Sequence, residues 1–321
     1  MMSRYFRFSL LQLTMCLLII SCQPGTKDRD GNAAPVLIQE ATSFDGKPLY
    51  RKMVSEDDLE SADELIEAFR KKQNLEESDY LELGKIYTST NRYRDAIGVY
   101  EEGIQRFPDS YRLHRNKGHR HLRLRELRPA ITHLSTADQL IGPEDNGDLE
   151  YDASGKPTGT YKYWVKYYSG VYYMLSDDLN NAIKCYQSCI DLAIDNKNTV
   201  GPSVWLYHLH QMKGNPEAAQ EIIDRIDKDL DTDQGHPYFK QAMLFKGVFT
   251  PEELMAARPP SAADWSVQDA TVTFGVARYH VYNGDSASYL GLIDKILSTD
   301  HWNAWAYVMA EKDRVKLQSR K

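Results

Sequence analysis

Tyr80, Leu83, Gly84, Tyr87, Ala96, Tyr100, Gly103 and Pro108 set out an order of large and small residues within one window of the chain. The order recurs 34 residues later, where Gly118, His121, Ala130, Leu134, Ala137 and Gly142 stand in the places of Gly84, Tyr87, Ala96, Tyr100, Gly103 and Pro108. A third copy, Gly170, Tyr173, Ala182, Tyr186 and Cys189, follows at a spacing of 52, one period plus a surplus of 18 residues. A period in this range describes like helical pairs, none of which buries its apolar side alone, so neighbours must stack. Glycine lets the two helices of a pair approach, alanine stands where they touch, and the aromatics fill the space between neighbouring pairs. The expected fold is all-α: a helix-turn-helix superhelix, or α-solenoid, with the surplus looped out between the second and third units.

The units fall at about 77–110, 111–144, 163–196, 199–230, 236–258 and 268–298, within a helical domain spanning 55–321. The later ones keep the rhythm through Gly214-Asn215-Pro216 and Asn283-Gly284-Asp285 turns, and a last helix runs from about Asn303 to Leu317. The domain opens at Ser55, a capping residue followed by Glu56, Asp57 and Asp58, where the helix dipole favours negative charge. Residues 22–54 carry no sustained period and read as a flexible tether in which Phe44-Asp45-Gly46-Lys47 is at most a turn. In the insertion, residues 143–162, Leu149-Glu150-Tyr151 and Thr160-Tyr161-Lys162 alternate around a Gly- and Pro-containing turn. A protruding β-hairpin is expected there, a disordered loop being the other reading.

The chain's start reads as an address out of the cytosol. Arg4 and Arg7 precede the apolar stretch Ser9 to Ile20, so residues 1–21 read as a secretory signal. The stretch ends Leu18-Ile19-Ile20-Ser21-Cys22, aliphatic residues and a small residue before a cysteine, followed by polar residues. That resembles the bacterial lipobox, whose cysteine is lipidated; Cys22 would then anchor the body to a membrane through its acyl chains alone. The 46 acidic and 39 basic residues give a net charge of −7, and loss of residues 1–21 with their two arginines leaves −9. A balance of this sign argues against nucleic acid and against an anionic lipid surface as partners.

With the repeat register, the chain resembles the tetratricopeptide-repeat lipoproteins, strongly over residues 77–194. The repeat family implies a scaffold that binds proteins or peptides in a concave groove, with no enzymatic residues and no cofactor. Trp205-Leu206-Tyr207, Glu253-Leu254-Met255, the Tyr279–Asp285 helix end and His301-Trp302-Asn303 further resemble the NlpI-type envelope adaptors, which bring peptidoglycan hydrolases to a periplasmic protease. The hairpin insertion and the N-terminal segment depart from that type.

Between Tyr111 and His133 the chain reverses its charge, with six arginines, one lysine and four histidines against the single acid Glu126. Arg112, Arg115, His119 and Arg123 share one helical stripe, which the repeat register puts in the groove beside Trp164 and Tyr167. A cationic stripe beside aromatics suits an acidic peptide or a C-terminal carboxylate; a solvated face neutralised by acids elsewhere in the fold is the other reading. The His119/His121 and His208/His210 pairs lack metal-ligand spacing, and no catalytic motif stands out. Cys185 and Cys189, four apart, fit core packing. The expected function is a lipid-anchored envelope adaptor, not an enzyme; the alternative is an envelope lipoprotein that binds or processes glycan or peptidoglycan, with its aromatic rings as a platform.

Overall fold

The computed structural model describes residues 37–152, 154–230 and 235–319. Cys22 and the signal segment lie outside the described residues. Those from Ile38 onward belong to one compact unit.

A β-hairpin comes first. β1 (Gln39–Thr42) pairs antiparallel with β2 (Pro48–Tyr50) across a turn in which Gly46 takes φ +86°. This corrects the tether reading for these residues. Ala41 and Leu49 pack with Tyr93, Leu124 and Trp302, and buried Glu40 accepts from Arg51 Nε at 2.7 Å and from the Arg94 backbone N–H at 3.1 Å. Strands this short are ordered by partners far along the chain, which no local period reveals.

Helix α1 (Glu56–Lys71) starts at Ser55, whose side chain accepts from the Asp58 N–H, with Arg70 and Lys71 in its last turn. Helical pairs follow. α2 (Glu77–Ser89) packs on α3 (Tyr93–Arg106), and α4 (Tyr111–Arg123) on α5 (Leu127–Ile141). The insertion forms the second hairpin, β3 (Leu149–Tyr151) against β4 (Pro157–Thr160), in register Leu149↔Thr160 and Glu150↔Gly159. Then come α6 (Tyr161–Leu175) with α7 (Leu179–Asp191), α8 (Asn196–Met212) with α9 (Pro216–Asp224), and the short α10 (Pro237–Phe245) and α11 (Pro251–Ala256). A 3-10 turn at Ala262–Asp264 leads to α12 (Val267–Tyr282), α13 (Ser286–Leu297) and α14 (Trp305–Gln318).

The period that marks the repeats also marks their turns. Asn91, Arg125 and Asp177, spaced like the glycines of the three copies, all take positive φ at 59°, 64° and 64°, and Gly214, Gly247 and Gly284 do so in the later pairs. A left-handed residue at one place in each pair reverses the chain with a fixed geometry. Inside the pairs, a Cβ on Gly84 would overlap the Tyr100 ring, one on Gly170 would fall 2.8 Å from the Tyr186 ring, and one on Gly118 would fall 3.0 Å from the Ala130 carbonyl oxygen. Ala96, Ala130 and Ala182 are fully buried, Tyr80 and Tyr87 lie in the core of the first pair, and Pro108 follows the end of α3.

The C-terminal segment returns to the second pair. Arg125 Nη2 donates to Glu311 Oε2 on α14 at 2.8 Å and to the Trp302 carbonyl at 2.7 Å. The first hairpin joins the same contact: the Phe44 N–H donates to Glu311 Oε1 at 2.6 Å, and Trp302 Nε1 to the Tyr50 carbonyl at 2.7 Å.

Candidate functional site

The cationic stripe lies on α4, as its spacing requires, but the fold covers most of it. Arg112 donates to Glu77 Oε2 at 2.8 Å and is ion-paired with Asp148 of the insertion. Arg115 is only 3% exposed, lies under Glu150 of β3 as its ion pair, and has its guanidinium within 5.2–6.0 Å of the Tyr161, Trp164 and Tyr168 rings. Burial works against its charge, but the Glu150 carboxylate together with the Tyr168, Tyr161 and Tyr100 hydroxyls outweighs that, so its pKa is raised. The hairpin is pinned at its base, where Lys162 Nζ donates to the carbonyls of Gly142, Pro143 and Asp145 at 2.6–2.8 Å. The insertion thus supplies the stripe's first two arginines with carboxylates, and Arg115 is buried while Arg112 stays partly exposed.

The stripe's second half meets the C-terminal segment. His119 stacks on Tyr168 with ring centroids 3.8 Å apart, and Trp305 flanks it at 5.9 Å. Burial, reinforced by the charges of Arg120, Arg123 and Arg115, holds the His119 pKa well below the ordinary imidazole value. Arg120 Nη2 lies 2.9 Å from His119 Nδ1 and Arg123 Nε lies 3.2 Å from His119 Nε2. A neutral imidazole has one acceptor nitrogen, so it answers only one of these two guanidiniums. Arg123 also donates to the Asn303 carbonyl and lies 3.9 Å above the Trp305 ring. No carboxylate pairs with Arg123 among the described residues, and burial lowers its pKa, with the charge of Arg120 acting the same way.

An opening lined by Glu77, Arg106 and Tyr111 among others reaches Arg112, and two further openings combine a residue of the stripe with aromatics of α6. One is an open groove of about 530 Å³ between the first pair and the insertion, lined by Leu81, Arg112, Leu149, Tyr151 and Tyr161 among others. Leu149 is 39% and Tyr151 53% exposed, so two large apolar side chains of the hairpin face water at its edge. The other is a cleft of about 310 Å³ reaching Arg123. Its walls are Tyr163, Trp164, Tyr167 and Tyr168 of α6, Tyr238 of α10 and Trp305 of α14, with Lys197, Asn198 and Gly201 of α8 and His236 completing the lining.

The structure thus brings Arg123, Trp164 and Tyr167 together in the cleft and separates them from Arg112, which borders the groove. Tyr163 and Tyr168 were within reach of sequence reasoning, since they flank Trp164 and Tyr167 in the Tyr161–Tyr168 run. Tyr238 and Trp305 carried no such signal, because only the packing of α10 and α14 brings them in.

Among the described residues no group of three His, Cys, Asp or Glu side chains is placed to hold a metal ion, and no helix is long and apolar enough to cross a membrane. Cys185 and Cys189 are both free, Cys189 buried with Sγ 3.6 Å from the Tyr163 carbonyl.

No protein-family model matches the sequence, and no curated protein matches it. Solved structures do. A tetratricopeptide repeat protein from Parabacteroides merdae ATCC 43184 matches over 78% of this chain and 92% of its own, at 13% identity and a TM-score of 0.50. A chain of the APC/C hetero-tetramer Cut9–Hcn1 matches over 75% of this chain and 37% of its own, at 14% identity and 0.45. YrrB, described as a TPR protein with an unusual peptide-binding site, matches over 74% and 92%, at 12% identity and 0.41. At such identities a likeness speaks of architecture alone, and the first of them, with the register of glycines, alanines and left-handed turns, makes this fold a stack of tetratricopeptide-type helical pairs.

Proposed function

We propose that this protein is an interaction scaffold of a bacterial cell envelope, tethered to a membrane through lipidated Cys22, which holds an extended segment of a protein partner in the groove between its first helical pair and the β3–β4 hairpin. The observation that carries this reading is the exposure of Leu149 and Tyr151 beside an open groove on a well-packed stack. Large apolar side chains held on an ordered hairpin, next to a channel, are what a partner segment buries on docking. Arg112, the one arginine of the stripe that borders the groove, already faces Glu77 and Asp148. An apolar segment therefore suits this groove better than the acidic peptide or C-terminal carboxylate that the stripe suggested. The tether rests on the sequence of residues 18–22.

The test is a photo-crosslinking residue at position 151 in the native envelope. The expected result is a discrete adduct that disappears with Leu149→Glu, while helical circular dichroism and the melting temperature stay unchanged. A crosslinker at exposed Val248, in the turn between α10 and α11, serves as the control. The same adduct from both positions, or none from position 151, would overturn the reading. For the tether, Cys22→Ser should move the protein from the membrane to the soluble fraction and abolish labelling by a fatty-acid probe.

A further inference from the structure

The cleft at Arg123 takes no part in the groove reading, and its chemistry is different. Flat rings form its walls: Tyr163, Trp164, Tyr168, Tyr238 and Trp305 surround a space of about 310 Å³, the size of a small-molecule site. A cation lies at one end without a carboxylate. Arg123 has His119, the Asn303 carbonyl and the Trp305 ring as its neighbours, and His119 is shared with Arg120, whose Nε is buried without a hydrogen-bond partner. Positive charge so poorly answered in a buried setting is costly, and an anionic group reaching Arg123 would relieve it.

Besides Lys197 and His236, the remaining polar groups of the lining are those that hydroxyls satisfy. The Tyr167 hydroxyl accepts from Trp205 Nε1 at 2.8 Å and stands 3.5 Å from the Tyr238 hydroxyl. Asn198 Oδ1 and Trp164 Nε1, both on residues of the wall, are buried with no hydrogen-bond partner. A space of about 310 Å³ suits a single sugar ring.

We propose that this cleft binds an acidic sugar, a pyranose carrying one carboxylate, with its ring face against the aromatic walls, its hydroxyls on the Tyr238 and Asn198 side, and its carboxylate on Arg123. The aromatic faces are electron-rich and attract the polarised C–H groups of a sugar face, and Arg123, with Lys197 as the second cation of the lining, suits a negative charge. The scaffold would then hold a glycan at one site and a protein segment at the other.

Calorimetry on the full chain decides this with three probes: methyl glucuronide, its neutral counterpart methyl glucoside, and an acidic hexapeptide of alternating Glu and Gly. Methyl glucuronide is expected to give saturable heat, with methyl glucoside at least tenfold weaker and the peptide weaker still. Arg123→Gln should weaken the glucuronide at least tenfold and erase its advantage over the glucoside. Trp164→Leu should weaken both sugars together. Circular dichroism checks that each variant folds, and if neither does, the ranking of the three probes on the wild-type chain decides alone. No saturable heat with the glucuronide, equal binding of the two sugars, or tighter binding of the peptide would each overturn the proposal, and none of them touches the crosslink at position 151.

Discussion

A glycine that a repeat needs and a glycine that it merely tolerates differ by what a methyl group would meet. At Gly84 and Gly170 an added Cβ runs into the Tyr100 and Tyr186 rings of the partner helix, whereas exposed Gly98, inside α3, has nothing within 4 Å. Gly84→Ala should therefore destabilise by about 1–3 kcal/mol through overpacking. Gly98→Ala should stabilise by roughly 0.5–1 kcal/mol, the ordinary cost of glycine in a helix. Urea midpoints of the two variants should move in opposite directions. Requirements of this kind were legible in the sequence because Gly84 and Tyr100, or Gly170 and Tyr186, stand 16 residues apart inside one helical pair. The histidines were not. His133 is pushed down to about 4, by burial first and then by Lys117, His114 and His121, with Glu101 the one acid acting the other way. His114 Nδ1 lies 3.0 Å from His133 Nδ1, and the His121 ring stacks 5.8 Å away. An unfolded imidazole takes its proton near pH 6.5. Between about 6.5 and 4 the proton therefore binds the unfolded chain in preference, and stability falls as pH falls through that window, levelling for this group below about 4. Buried His208, pushed down to about 3 by burial and by Arg278, extends the decline. Urea midpoints at pH 7, 5.5 and 4.5 should fall in that order, and His133→Leu should flatten the slope.

The two hairpins show where reading by elements succeeds and where it stops. The alternation around Leu149-Glu150-Tyr151 and the Gly/Pro turn were enough to expect a hairpin in the insertion. Nothing there said that Glu150 would come down on Arg115, 35 residues back in the chain, so the acids that answer the first half of the stripe could not be named. The first hairpin was invisible for the same reason, since Ala41 and Leu49 owe their burial to Tyr93 and Trp302. Arg115 is now the weak point of its region: a guanidinium buried under a single carboxylate is costly to leave alone. Glu150→Ala should cost about 3–5 kcal/mol, the range for stranding one partner of a buried pair. It should also loosen the hairpin, so that chymotrypsin cuts after exposed Tyr151 at lower protease concentration than in the wild type. An unchanged cutting rate would mean that the Lys162 clamp on residues 142–145 holds the insertion without the ion pair.

A linear stack of helical pairs is held by contacts between neighbours, and its last helix is the first to fray. Here α14 has partners outside its neighbourhood. Glu311 pairs with Arg125 across 186 residues, Phe44 donates to the same carboxylate across 267, and Trp302 reaches Tyr50 across 252. Both Arg125 and Glu311 are buried, so their pairing is shielded from solvent, and Arg125 is also the left-handed turn residue of the second pair. One carboxylate thus joins the last helix, the first hairpin and the second repeat. Contacts of such long range pool the stability of segments that a simple stack would leave to open independently. Hydrogen exchange in α14 should accordingly be as slow as in the central α6 and α8. Glu311→Gln keeps an acceptor for the Phe44 N–H but leaves Arg125 without its counter-charge, an expected loss of roughly 3–5 kcal/mol. Exchange should then speed up in residues 38–50 and 305–318 well before it does in α6 or α8. A uniform acceleration would mean that the unit opens only as a whole, and no acceleration would mean that packing of Trp302 and Trp305 suffices to hold the last helix in place.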